Sequence, residues 1–246
     1  MIKSLTEIGQ YVLLMGKVFK KPGKMSIFRK MFMDEIERLG LNSVGIVAII
    51  SVFMGAVVSL QMIINLENPF IPRYLIGYAT RETLILEFSS TIVALILAGK
   101  VGSNIASEIG AMRITEQIDA LEIMGVNSAN HLILPRITAA VFFFPLLTVM
   151  SMIIGILGGY LTVFTVESMT PTDFATGVVY DFRPYLVFYG ISKMFFFAFA
   201  ITSISSFYGY FAKGNSLEVG RSSTRAVVTS TIVILIMNVI LTKVFF

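Results

Sequence analysis

GKVGSNIASEIGAMRITEQIDALEIMGVN, residues 99–127, is the longest polar interruption in an otherwise oily chain. It carries Lys100, Glu108, Arg113, Glu116, Asp119 and Glu122, and it separates two stretches apolar enough to cross a bilayer. No proline falls inside it, and Thr115 to Met124 is rich in residues that accept a helix. Ile114, Ile118 and Leu121 recur at i, i+4, i+7 and share one stripe, while Glu116 and Asp119 project elsewhere. The pattern predicts an amphipathic helix tethered at both ends to membrane spans. Such a helix either lies in the headgroup layer or offers its exposed side to a soluble partner. Surface-lying helices are usually basic, whereas residues 108–122 hold four acids and one arginine. Anionic lipid repels that helix and a protein groove attracts it. Docking to a partner is therefore the expectation, with a solvated loop as the bland alternative.

The rest of the composition agrees. The chain has 246 residues, 14% of them charged, and a mean hydropathy of +0.84, too apolar for an ordinary soluble domain. The expected fold is an all-α integral membrane protein, with residues 1–42 interfacial, residues 43–246 a five-span domain and 100–130 the segment just described. The absence of cysteine excludes a disulfide framework and thiol chemistry, and His131 as the one histidine excludes a multi-histidine metal centre. No signal peptide is legible in the first 42 residues. The net charge of +4 lies in the polar connections, with sparse aromatic interleaving, so nucleic acid is not an expected partner.

Residues 1–41 are basic and amphipathic, with Leu5, Ile8, Val12 and Met15 at helical spacing, a break at Lys20-Lys21-Pro22-Gly23, and a second short helix over Ser26–Leu39. They predict an elbow on anionic headgroups. Five spans follow: Val44–Leu66, Leu75 or Thr83 to Ala98, Ile137–Phe164 after Pro135-Arg136, Tyr185–Tyr210 and Ala226–Phe246. Ser51, Gly55 and Ser59 in the first span, and Ser151, Gly155 and Gly159 in the third, are four apart and admit close helix approach. The Glu67–Pro72 connection reads as a turn-rich loop, and Pro171-Thr172-Asp173 opens a short helix in the Glu167–Pro184 connection. Residues 211–225 read as a short inner loop. With the amino terminus inside, fourteen of the nineteen basic residues lie in inner segments and four in outer ones. This bias predicts a cytoplasmic amino terminus, a carboxyl terminus on the far side, and the 99–127 segment in the cytoplasm.

Glu87 and Lys193 are the charges least explained by topology. Each costs about 2.5–3.5 kcal/mol at a helix centre, so each needs a partner or a wet cavity. Either they pair across the second and fourth spans, or they line a pocket where carboxylate and ammonium meet a zwitterionic lipid head. Gln61 and Asn65 stand one turn apart and either line the same pocket or bond between helices; Asn238 reads as helix–helix glue. No G-x-x-x-x-G-K-[ST] loop and no nucleophile–base set is present, so no catalytic residue and no metal ligand is assigned, and the chain is not expected to be an enzyme.

Glu108, Gly110, Met112 and Arg113, then Thr115-Glu116-Gln117-Ile118-Asp119-Ala120-Leu121 and Met124, resemble the signature of the MlaE-type (YrbE-type) permeases. These are membrane subunits of bacterial ABC lipid transporters that work with MCE-domain proteins. The resemblance implies a coupling helix that sits in an ATPase groove through Glu108, Met112, Arg113, Thr115, Glu116, Gln117, Asp119 and Leu121. It implies a lipid cavity at Gln61, Glu87 and Lys193, which Asn65, one turn from Gln61, is placed to share. It further implies a homodimer packed through small-residue faces, cytoplasmic ABC ATPase subunits holding ATP and Mg, a periplasmic MCE-domain partner, membrane lipids as cargo, and the bacterial inner membrane as location. The chain departs from the family pattern around Glu87: it reads Leu86-Glu87-Phe88-Ser89-Ser90 where arginine often precedes the glutamate and Leu-Gly-Pro follows. Arg81 and Glu82, about a turn and a half earlier, are candidates to substitute. The competing reading is a self-sufficient carrier or channel that uses Glu87 and Lys193 as an ion relay, although inverted repeats and matching broken helices are missing.

Overall fold

The computed structural model describes residues 2–20, 24–66, 70, 72–166 and 169–245. Eight helices and no strand occur among them: α1 (Ile2–Val18), α2 (Met25–Asn65), α3 (Tyr74–Ile114), α4 (Gln117–Ile123), α5 (Ser128–Val163), α6 (Pro171–Val179), α7 (Pro184–Tyr210) and α8 (Ser216–Phe245). Helices α2, α3, α5, α7 and α8 are long and apolar enough to cross a membrane. The Leu5 side chain, Lys21, Pro22 and Gly23 of the expected break, Glu67, Asn68, Pro69 and Ile71 of the outer loop, and Glu167 fall outside the described residues.

Several helices outrun their apolar cores. The elbow helix and the first span are one helix, joined through a π-helical stretch at Ile36–Leu41. The second span starts at Tyr74 and stays helical to Ile114, through wide π turns at Leu84–Ile92 and Ala98–Gly102. Ile114 therefore ends α3 instead of opening the polar helix. Helix α5 begins at Ser128, with Pro135 inside it. The proline removes one backbone hydrogen bond, but Ala129, Leu132, Ile133 and Ile137 are buried at helical spacing and hold the turn. Residues 211–225 are not all loop, because α8 starts at Ser216, where the Asn215 Oδ1 accepts the Glu218 N–H. In α6 the reading holds: Thr170 caps the helix by accepting the Asp173 N–H at 3.2 Å, with Pro171 in the first turn. In α1 the inward face is Tyr11, Leu14, Met15 and Val18, whereas Ile8 and Val12 of the expected stripe are exposed.

The chain forms two compact units. One comprises Ser43–Val93, Phe144–Phe195 and Leu241–Phe246. Here the two small-residue stripes face each other. The Ser51 hydroxyl donates to Ser151 at 2.8 Å, and a Cβ on Gly55 would lie 1.8 Å from the Gly155 carbonyl oxygen. These two faces thus meet inside the chain, their small residues letting the two helix backbones approach closely. Gly77 and Gly177 similarly allow α3 and α6 to touch, their missing side chains opposite the Phe174 and Tyr74 carbonyls.

The other unit comprises Met1–Asn42, Ala94–Phe143 and Phe196–Ile240. Gly209 lies against the Ala106 carbonyl and Gly110 against Val219, so α3, α7 and α8 meet closely. Tyr11 donates to the Ser203 hydroxyl at 2.8 Å and meets the Phe207 ring edge-on, fastening α1 to α7.

Candidate coupling helix and polar membrane cluster

Helix α4 owes its short length to its two ends. Thr115 leaves helical geometry, its hydroxyl bonded to the Ala111 carbonyl at 2.8 Å, and Glu116 takes the left-handed backbone at φ 60°. That break turns the chain out of α3. At the other end the Val126 N–H reaches the Leu121 carbonyl at 3.0 Å and the Gly125 N–H reaches Glu122 at 2.9 Å, with Gly125 at φ 76°. This is a Schellman closure, which needs a residue without a Cβ at that point.

Within α4, Ile118 is fully buried and Leu121 half-buried, while Glu116 and Gln117 are exposed. Arg113 is tied to Asp119 at 2.7 Å and Gln117 donates to the Thr115 hydroxyl at 3.0 Å, so four of the expected coupling residues brace one another. Met112 is half-buried. Glu108 is engaged internally: it accepts from Arg38 of α2 and from Arg136 of α5, the latter at 2.9 Å. Arg136 also donates to the buried Glu35 at 3.0 Å. Four charges thus bind α2, α3 and α5 to one another.

Sequence reasoning missed Glu35, Arg38 and Arg136 as partners, and it missed how Glu122 is held. Glu122 accepts hydrogen bonds from Ser128 at 2.8 Å and Tyr210 at 2.9 Å. The bond from Ser128 first, then that from Tyr210, lowers the Glu122 carboxyl below its ordinary value. Ile123 and Met124 are apolar and strongly exposed, a feature of the helix that its stripe pattern did not reveal.

The second cluster lies on the π-helical stretch of α3. Lys193 of α7, wholly buried, donates to Glu87 at 3.0 Å and to the Leu86 carbonyl at 3.2 Å, and its ammonium stands 4.7 Å from the Tyr189 ring centre. Glu87 also accepts from Thr91 at 3.2 Å and keeps 41% of its side chain exposed. Of the two alternatives open in the sequence, the pair is therefore formed, while the Glu87 side chain stays partly exposed. Gln61 and Asn65 are exposed, one turn apart on α2, and take no part in the ion pair. Arg81 does not supplement it. Its side chain is 1% exposed and donates to the carbonyls of Val178 and Tyr180, both at 2.8 Å, and to the Glu82 carboxylate, which commits it to holding the end of α6.

The family described as Permease MlaE matches residues 32–244. A probable ABC transporter permease protein of Rickettsia felis is 32% identical over 245 residues, which span 100% of this chain and 94% of that protein. The intermembrane phospholipid transport system permease protein MlaE of Haemophilus influenzae is 31% identical over 235 residues, 95% of this chain and 89% of its own length. Protein TRIGALACTOSYLDIACYLGLYCEROL 1, chloroplastic, of Arabidopsis thaliana is 28% identical over 234 residues, 95% of this chain and 67% of that protein. Matched over nearly all its length and folded as a multi-pass, all-α membrane protein, the chain belongs to the MlaE permease family.

Proposed function

We propose that the chain is the membrane subunit of an ABC transporter that moves phospholipid or a related lipid between the inner membrane and an MCE-domain conduit. A separate cytoplasmic ATPase, which holds ATP and Mg, docks on α4 and supplies the energy. The observation that carries this reading is the construction of α4 itself: a seven-residue helix between the second and third spans, anchored by Ile118 and Glu122 and exposed on its other side. Force applied there enters α3 through the Thr115–Glu116 turn and α5 through Ser128. The similarity to the Haemophilus phospholipid transport permease supports lipid as cargo. Two ATPase subunits close together, so two copies of this chain form the working permease, with amino termini in the cytoplasm and carboxyl termini in the periplasm.

The partly exposed Glu87 side chain faces the lipid head, and Lys193 holds its carboxylate in place. Gln61 and Asn65 line the same cavity as neutral hydrogen-bonding groups. The test is co-purification of the ABC ATPase co-expressed with this chain, followed by mass spectrometry of retained lipid. Glu116→Lys and Leu121→Asp are expected to release the ATPase, and retention by both contradicts docking at α4. Glu87→Ala combined with Lys193→Ala is expected to lower retained phospholipid while the complex still assembles. Unchanged lipid content removes the pair from the cavity.

A further inference from the structure

A cavity of about 520 Å³ opens between the start of α2 and the start of α5, and it shares no residue with the Glu87–Lys193 cluster. Its size is that of a site for a small organic ligand. Lys24, Asn127 and His131 supply polar lining, and Ile27, Phe28 and Met31 of α2 supply an apolar wall. Both sides are fixed. Asn130 donates to the Val18 and Lys20 carbonyls, each at 2.6 Å, and Asn127 donates to the Lys17 carbonyl at 3.0 Å, which fastens the end of α1 to the start of α5. Opposite, Phe28 stacks on Phe32, whose ring meets Phe142 of α5 edge-on, and Arg136 holds Glu35. The asparagine amides are thus committed to the backbone. The Lys24 ammonium and the His131 imidazole are not: neither has a hydrogen-bonding or ionic partner among the described residues.

We propose that this cavity holds an anionic glycerophospholipid of the leaflet that borders α1, as a bound component distinct from any cargo. Lys24 and His131 take its phosphate, and Ile27, Phe28 and Met31 take the upper part of its acyl chains. The charge fits that occupant. No carboxylate is among the described residues that line the cavity, and residues 17–30 hold six lysines and arginines with no acid. Glu122, at the end of α4, is bonded to Ser128 and Tyr210 and has Lys17 acting on it. Such a setting favours an anionic head over a zwitterionic one. The depth fits as well. Ile137 opens the apolar run of α5, so at 1.5 Å per residue Pro135 lies about 3 Å and His131 about 9 Å outside the hydrocarbon, at headgroup level. Ile27 is 45% exposed and Met25 57%, apolar side chains that an acyl chain would cover. A free phosphate would leave that wall bare, and an apolar peptide would leave Lys24 unpaired. Methionine at position 31 adapts to an irregular chain.

The test titrates the full-length chain, stripped of lipid in detergent, with phosphatidylglycerol or phosphatidylcholine and counts bound lipid by native mass spectrometry. Phosphatidylglycerol is expected to bind more tightly, and Lys24→Glu with His131→Ala to weaken it about tenfold and erase the preference. Ile27→Asp, at an exposed position that tolerates a polar side chain, is expected to weaken both lipids. Glu87→Ala with Lys193→Ala is expected to keep the preference, which separates this site from the cargo reading. Glycerol phosphate, the head without its chains, is expected not to compete. Equal binding of the two lipids, or a preference that survives Lys24→Glu with His131→Ala, overturns the proposal. So does a preference lost only in the Glu87 and Lys193 variant, which assigns the lipid to that cluster. Competition by glycerol phosphate at the lipid's own concentration means that the cavity takes a free phosphate, and the lipid assignment falls.

Discussion

Arg136 donates its Nε to Glu35 and one terminal nitrogen to Glu108, at 3.0 and 2.9 Å, with only 4% of the residue exposed. Removing one member of such a buried set strands the others. Arg136→Ala is therefore expected to destabilise the protein by about 3–5 kcal/mol, read as a lowered thermal midpoint in detergent. Arg136→Lys is expected to recover only part of this, because an ammonium cannot bridge two carboxylates with a planar fork. An unchanged midpoint for Arg136→Ala would show that the network carries no stability. Glu122 supplies the pH dependence. Its hydrogen bonds lower its carboxyl pKa in the folded state, so its stabilising effect is full above the ordinary carboxylate value of about 4.3. That effect is lost as the pH falls through the depressed folded value. The stability difference between the unmodified chain and Glu122→Gln should stay flat from pH 8 to 5 and narrow only in stronger acid. A difference that changes near neutrality contradicts the assignment. Glu87 and Lys193 were legible as special because each is a charge in an apolar window. The Glu35–Arg136 pair was not, because 101 residues separate its members and Glu35 sits in a basic stretch.

Helix α3 spans 41 residues, about 60 Å at 1.5 Å per residue, twice the roughly 30 Å of hydrocarbon a membrane presents. Hydropathy marks only the oily middle of such a helix, which is why the starts of α5 and α8 and the end of α3 were placed too far inward in the sequence. The π-helical stretches left no signal, since wide turns are set by packing between elements and not by residue type. Small-residue stripes were plainly visible, but their partner was not, because serine and glycine spacing says that a backbone comes close without saying whose. Gly55→Ala tests the observed packing. A methyl group there meets the Gly155 carbonyl oxygen at 1.8 Å, so α2 and α5 must separate, at a cost of about 1–3 kcal/mol. Gly45→Ala, on the same helix with open space around it, is the control and should be neutral or better. Equal thermal midpoints for the two variants would mean that the stripes do not meet as described.

At the scale of the whole molecule, fold class, span number and family were all readable from composition and one polar segment. Five apolar runs and a charged interruption leave few other architectures, and the 99–127 stretch matches the family's signature closely. Cargo, direction and assembly were not readable, because they depend on chemistry that arises only when separate chains and lipid meet. The central claim is that ATP hydrolysis elsewhere moves lipid through this chain by way of α4. Its most direct test is transfer of fluorescent phospholipid in proteoliposomes that contain the permease, its ABC ATPase and the MCE-domain protein. Transfer that requires ATP, and that is lost in the Glu116→Lys permease while the ATPase alone still hydrolyses ATP, is the predicted result; transfer at the same rate without ATP, or undiminished in that variant, contradicts the account.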